Sequence, residues 1–576
     1  MATSGGPLVV AAIDFGTTYS GWAFSFKHDF EREPCKVSAK ALIANQLASQ
    51  KAPTCVLIKP DGKTLDAFGF DAETRYSQLC ETGEHKQWYY FQRFKMMLWD
   101  KLIHKDTLLD DEFGKSLKAL TVFALSIRYM KEDLSSMSKN QVSGMNQEDI
   151  HWVLTVPAIW NDSAKHFMRL AAEEAGISSQ KLTIALEPEV ASIYCKHLQV
   201  TMDGEGGVSS FRPGKKYIVL DAGGGTIDIT THEVCFGGEL KELYKATGGA
   251  WGGTLVDKDF LDFVSELAGK ETVERFKEEH MEDYLDLMRD FEMKKRSTRL
   301  SSKGRVTIKI PLTLMDLISD IKGRSLKQIV SMSQYANKAE LTGEKLRLED
   351  DVFRSFFKTS VSETVKHLTE VLRKHQTRGV EAILMVGGFS ESPLLIETIR
   401  NEFSRLQVII PPDAGLAVLK GAVIFGHCPT SIKERVSKYT YGTNKTTIFD
   451  EKKHPEEKRK IHKSGEVRCK DLFTTLVSAG QKLVVGEKIG KRKKYHPMSE
   501  NQDHIRFDIY TSTERNVEFV TDDGCKKVGS VLVPLSGTGK ERVVYIQTVF
   551  GGTEIMVEFE EASTGLITNT YVDFLL

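Results

Sequence analysis

The stretch from Tyr217 to Glu233 constrains this chain more than any other. Tyr217-Ile218-Val219-Leu220 has the character of a buried strand, Asp221-Ala222-Gly223-Gly224-Gly225-Thr226 follows, and Ile227-Asp228-Ile229-Thr230 leaves as a second strand. Three successive glycines carry no side chains, so their backbone N–H groups can close on an anion. Asp221 at the strand end and Asp228 beyond the turn set carboxylates beside that anion, as a phosphate-bound Mg²⁺ requires. Read alone, the stretch is also compatible with an ordinary glycine-rich hairpin, the lesser of the two readings.

The design occurs twice. Leu8 to Ile13 leads into Asp14-Phe15-Gly16-Thr17-Thr18-Tyr19, and Gly21 to Phe24 continues as a strand, so Asp14 precedes Asp221 by 207 residues. Two Asp-x-Gly hairpins at that separation predict two halves of similar build facing one nucleotide, with Asp14 and Asp221 on the metal. Neither copy is a P-loop, because no Gly-Lys-Ser/Thr follows.

The pair resembles phosphate loops 1 and 2 of the actin, hexokinase and heat-shock seventy-kilodalton superfamily. The chain is most similar to the heat-shock seventy-kilodalton chaperones, and among them to the divergent branch called 12A and 12B. Further segments carry the resemblance in order: Val156-Pro157-Ala158 with Asn161-Asp162, Glu187-Pro188, Gly248-Gly249, Glu292 with Lys295-Arg296, and Gly387-Gly388-Phe389. It covers residues 7 to about 426 and implies a two-lobed α/β ATPase domain with ATP or ADP and Mg²⁺ in the cleft. By that resemblance, Thr17, Thr18, Tyr19, Gly16 and Gly223 to Thr226 (Gly223, Gly224, Gly225, Thr226) cradle phosphates. Lys95, Glu187, Asp221 and Asp228 are the catalytic candidates, placing water or cation for in-line attack, with Arg93 a rival for the place of Lys95. Glu292, Lys295 and Arg296 hold ribose and adenine, and Gly248, Gly249, Gly387, Gly388, Phe389 and Asp413 complete the pocket.

The chain also departs from the family pattern. Glu391 stands where the family has an arginine that stacks on the base, Arg299 stands where a serine is usual, and the acid after Gly248-Gly249 is displaced to Asp257 or Asp259. Beyond Cys428-Pro429 the character changes. Alternation at Ile505, Phe507 and Ile509, and again at Ile555, Val557 and Phe559, predicts an antiparallel β domain, which resembles the family's substrate-binding β-sandwich, shortened and without its helical lid. Expected boundaries are a disordered start at 1–6, the ATPase domain at 7–428, a polar linker at 429–436 and the sandwich at 437–576. Helices are expected from Lys115 to Leu134 and, unbroken, from Glu271 to Ser297.

Composition removes several classes. Lys plus Arg number 78 against 79 for Asp plus Glu, so no net field recruits nucleic acid or anionic membrane. No apolar run reaches the ~20 residues of a membrane span. The eight cysteines show no zinc spacing and no Cys-x-x-Cys, which fits reduced thiols and a cytoplasmic setting, nuclear access left open. The cations of 488–494 read as a solvated hairpin, and Gly537-Thr538-Gly539-Lys540 reads as a loop.

Three functions remain. The first is an ATP-driven, slowly hydrolysing chaperone whose sandwich binds protein clients or signalling partners. The second is a nucleotide-binding scaffold with little hydrolysis, and the third a small-molecule kinase on the same superfold. With lid and leucine-rich linker missing, the sandwich is expected to respond only weakly to nucleotide.

Overall fold

The computed structural model describes residues 6–40, 42–44, 47–101, 103–141, 147–198, 211–461 and 465–575. The expected disordered start, except Gly6, lies outside these residues, as does most of the glycine-rich excursion at 201–216.

Each Asp-x-Gly hairpin sits at the centre of its own sheet. In the first lobe the order is Leu182–Leu186, Ile150–Val156, Val9–Asp14, Tyr19–Phe26 and Ser38–Ala39. In the second it is Gln407–Ile409, Val380–Val386, Lys216–Ala222, Ile227–Val234 and Leu240–Gly249. In both, the strand entering the loop pairs antiparallel with its hairpin partner and parallel with the strand on its other side. The two halves therefore share one strand order, as the spacing of the aspartates predicts.

The helices Glu187–His197 and Ala417–His427 occupy equivalent places in the two halves and cross between the sheets. A Cβ on Gly421 would lie 1.8 Å from the Val190 carbonyl oxygen, so only glycine permits this approach. Buried Val10, Ala12 and Val153 of one sheet and Val219, Leu384 and Val386 of the other share a single apolar cluster with these helices. Burial of this kind, worth ~25 cal/mol per Å² of apolar surface, fixes the cleft from below.

Two helix expectations need correction. Helix Ala119–Gln141 starts later than Lys115, because Ser116–Lys118 pairs with Leu108–Asp110 as a short hairpin. The Asp111 carboxylate accepts from the N–H of Phe113 and Lys115, and this turn takes up the backbone groups a helix start needs. The charged segment is two helices, Lys270–Glu279 and Met281–Ser297, broken at His280 (φ −136°).

Residues 437–575 form two antiparallel sheets, one of five strands and one of four, around Tyr441, Val477, Ile509, Val531, Val557, Phe559 and Phe574. Within the span expected as a linker, Ile432–Val436 is a strand. It lies parallel to Leu240–Gly249 in the second lobe's sheet and antiparallel to Lys482–Val484 of the sandwich. The sandwich also rests on the first lobe. Arg169 donates to Glu554 at 2.6 and 2.5 Å with its guanidinium 4.2 Å from the Tyr571 ring, and the Tyr441 hydroxyl donates to Asp162 at 2.6 Å. Asn161 caps helix Asp162–Glu174 through Ala164 N–H, and Gly176 ends it at φ +85°. All eight cysteines are free.

Candidate nucleotide site

The two phosphate loops meet face to face. A Cβ on Gly224 would fall 2.4 Å from Thr18 Oγ1, and one on Gly225 would fall 2.6 Å from Thr17 Oγ1. The carbonyls of Gly223, Gly224 and Gly225 accept from the N–H groups of Gly253, Thr254 and Gly252 at the start of helix Gly253–Ala268. A trans peptide sets each N–H opposite the preceding carbonyl, so the amides of Gly224, Gly225 and Thr226 point away from that helix. Gly387, at φ +87°, closes the floor, for its Cβ would lie 2.5 Å from Asp221 Oδ1 and from the Ala222 carbonyl. Gly16 is as tightly held, for a Cβ there would lie 2.1 Å from the Tyr19 carbonyl oxygen.

Four carboxylates, the buried Asp14, Asp221 and Asp228 and the half-buried Glu187, converge below the loops. Asp221 lies well above the usual carboxylate range, through burial first and then through repulsion from Glu187, Asp228 and Asp14. Glu187 is pushed up to about 7 by burial, with Lys95 opposing and Asp14 and Asp228 adding. Asp228 is raised by burial, while the Ile159 N–H, at 2.9 Å, and the Thr226 side chain hold it back. Burial also pushes Asp14 up, but Lys51 and Lys95 outweigh it and the carboxyl sits below its ordinary value. Asp14 accepts from Thr155 Oγ1 at 3.0 Å and from Lys51 Nζ at 2.6 Å. Lys95, buried, donates to Glu187 Oε1 at 2.8 Å and stands 5.1 Å from the Trp160 ring centroid. Four carboxylates facing two ammonium groups leave the site short of positive charge. Hard oxygen donors in such a field fit Mg²⁺.

Arg93, the rival, is turned elsewhere. It pairs with Asp257 at 2.9 Å, the displaced acid, which also takes Lys295 Nζ at 2.5 Å. Lys295 further bonds Glu292 at 2.5 Å, Glu292 takes Arg296 at 2.7 Å, and Arg296 stands 5.9 Å from the Tyr19 ring. These residues thus form one charged network beside the first loop.

Other expected site residues are not in the cleft cluster. Phe389 is 7% exposed and packs into the second lobe's core against Gly253. Asp413 pairs with Lys420 at 2.6 Å, and Gly249 is covered by the Trp251 ring. Gly248, one residue before the end of its strand, has φ +155°, and a Cβ there would lie 1.9 Å from the Ile227 carbonyl; Gly388 faces open space. Glu391 accepts the Gly415 N–H at 3.0 Å.

Sequence reasoning missed Lys51, Thr155 and the Ile159 amide. Thr155 left a signal, a hydroxyl inside an otherwise apolar strand, whereas Lys51 is a lone lysine before Ala52-Pro53. It also missed Arg435, which bonds Glu189 at 2.8 and 2.6 Å, two residues after Glu187.

A family model described as "Hsp70 protein" matches residues 82–436. Over 99% of its length the chain is 35% identical to heat shock 70 kDa protein 12A of Mus musculus, covering 92% of that protein, and the same figures hold for the Homo sapiens protein. It is 32% identical to heat shock 70 kDa protein 12B of Homo sapiens, with 98% of this chain and 91% of that one aligned.

Proposed function

The chain belongs to the Hsp70 family, whose ATPase-type fold it carries, and on that premise we propose that it binds MgATP, hydrolyses it slowly and couples nucleotide state to protein binding by its sandwich. The observation that carries this reading is the facing pair of Asp-x-Gly loops above a cation-poor carboxylate cluster.

In this reading the amides of Gly224, Gly225 and Thr226, with Thr17 and Thr18, orient the phosphates, so catalysis rests on positioning. Asp14 and Asp221 would hold Mg²⁺, whose charge would offset that of the phosphates. Lys95, fixed by Glu187 and Trp160, directs an ammonium into the pocket. Glu187, near pH 7 in its titration, can hold or release a proton at its carboxylate. Asp228 is oriented by the Ile159 amide, and the Ile159 carbonyl accepts from Lys438 Nζ at 2.8 Å at the entry to the sandwich. One backbone turn therefore touches both a catalytic candidate and the β domain, a route by which lobe closure reaches it.

A second reading, a nucleotide-binding scaffold with little hydrolysis, is favoured by Glu391 in place of the family's stacking arginine. Single-turnover hydrolysis of radiolabelled ATP, run with and without unfolded peptide, separates the two. Turnover that rises with peptide supports the chaperone reading; binding without turnover leaves the scaffold.

A further inference from the structure

Lys51 belongs to no motif, yet it spans the cleft. The short strand Ala52–Pro53 pairs antiparallel with Tyr19 and Ser20 of the first hairpin, which sets Lys51 beside Gly21. A Cβ on Gly21 would lie 2.9 Å from Lys51 Cγ and 2.9 Å from the Gln50 carbonyl, so a glycine there makes room for the lysine stem. From that edge the ammonium donates to Asp14 Oδ2 at 2.6 Å in the first lobe and to the Gly415 carbonyl at 2.7 Å in the second. Gly415 is itself held through its N–H by Glu391 at 3.0 Å. Glu391, which departs from the family pattern, and this lysine thus converge on one glycine across the pocket from Asp14.

We propose that Lys51 is a resident cation of the nucleotide site, shared between Asp14 and the terminal phosphate oxygens once a nucleotide enters, so that a nucleoside triphosphate binds without a divalent metal. The inference rests on the nucleotide-binding reading above. Its physical basis is charge. A polyphosphate entering beside Asp14, Asp221, Asp228 and Glu187 needs positive partners, and Lys51, like Lys95, already sets an ammonium among these carboxylates. Lys51 is a point charge on a flexible four-carbon stem, only 15% exposed at its side chain, and a small rotation moves its ammonium between two acceptors.

The test is calorimetric titration of ATP and of AMP into the full chain, as wild type, Lys51→Met and Lys51→Arg, in excess Mg²⁺ and in EDTA. We expect wild type to retain ATP binding in EDTA. Lys51→Met then loses at least about tenfold more affinity in EDTA than in Mg²⁺, the size of one hydrogen bond to a charged group. Lys51→Arg keeps most of the metal-free binding, and AMP, lacking terminal phosphates, is unaffected by Lys51→Met. Loss of wild-type ATP binding in EDTA, equal losses in the two media, or an equal loss for AMP overturns the proposal. If wild type fails to bind ATP even with Mg²⁺, the nucleotide reading itself falls, and this inference with it.

Discussion

Arg435 offers the largest single perturbation. Its Nε and Nη2 donate to the two Glu189 oxygens at 2.8 and 2.6 Å, and its Nη1 donates to the Gly551 carbonyl at 2.9 Å. One guanidinium thereby joins the helix that begins with Glu187, the strand leaving the ATPase domain, and a turn of the sandwich. Arg435 is 7% exposed and Glu189 3%, so neither charge has water to fall back on. Removing one side of a buried, hydrogen-bonded pair costs ~3–5 kcal/mol, most of it the penalty of the stranded charge. Arg435→Gln and Glu189→Gln should each lower stability by about that amount. The double variant strands no charge and should be less damaged than the sum, with a coupling energy of roughly 2–3 kcal/mol. Urea unfolding of the four proteins at pH 7, followed through the first transition, measures it. A loss below about 1 kcal/mol for Arg435→Gln, or strictly additive losses, would refute the reasoning.

Three more outcomes are expected. Asp14→Asn and Asp221→Asn should each weaken MgATP by at least about tenfold, or ~1.4 kcal/mol, without unfolding the protein; calorimetric titration reads both. Glu391→Arg should tighten ADP by about 0.5–2 kcal/mol, the range for a cation on an aromatic face, and an unchanged dissociation constant would show that another side chain covers the base. Glu242, pushed up to about 8 by burial, accepts the Val436 N–H at 2.7 Å. A carboxyl raised in the folded state stabilises below its unfolded value, here 4.5, and that contribution is lost as pH rises through about 8. Glu242→Gln keeps the bond without the charge, so it should match wild type near pH 4 and exceed it by roughly 1–4 kcal/mol at pH 9 in urea melts.

The hairpins were legible because their signal is local: a buried-strand pattern, an aspartate and glycines within ten residues determine the turn and the direction of the chain. Lys95 and Glu187 were legible only through resemblance, since their pairing joins residues 92 positions apart. Lys51 was not, because its partners lie 37 and 364 positions away and a lysine beside proline has no distinctive pattern. Ile432–Val436 looked polar, yet it is an inner strand of a sheet, beside Leu240–Gly249 about 190 residues upstream. There Arg435 is buried because Glu189 waits for it, a fact no window of sequence contains. Phe389 sits inside the glycine motif, and its ring packs into the apolar core, a placement the motif does not reveal.

The central claim is that the two hairpin loops together hold one nucleotide. Hydrogen–deuterium exchange of the full chain, with and without MgATP, tests it most directly. The account predicts that amides of Thr17, Thr18 and Tyr19 and those of Gly224, Gly225 and Thr226 slow together and to a similar degree. Protection of only one hairpin, or of neither while MgATP is bound elsewhere, would contradict it.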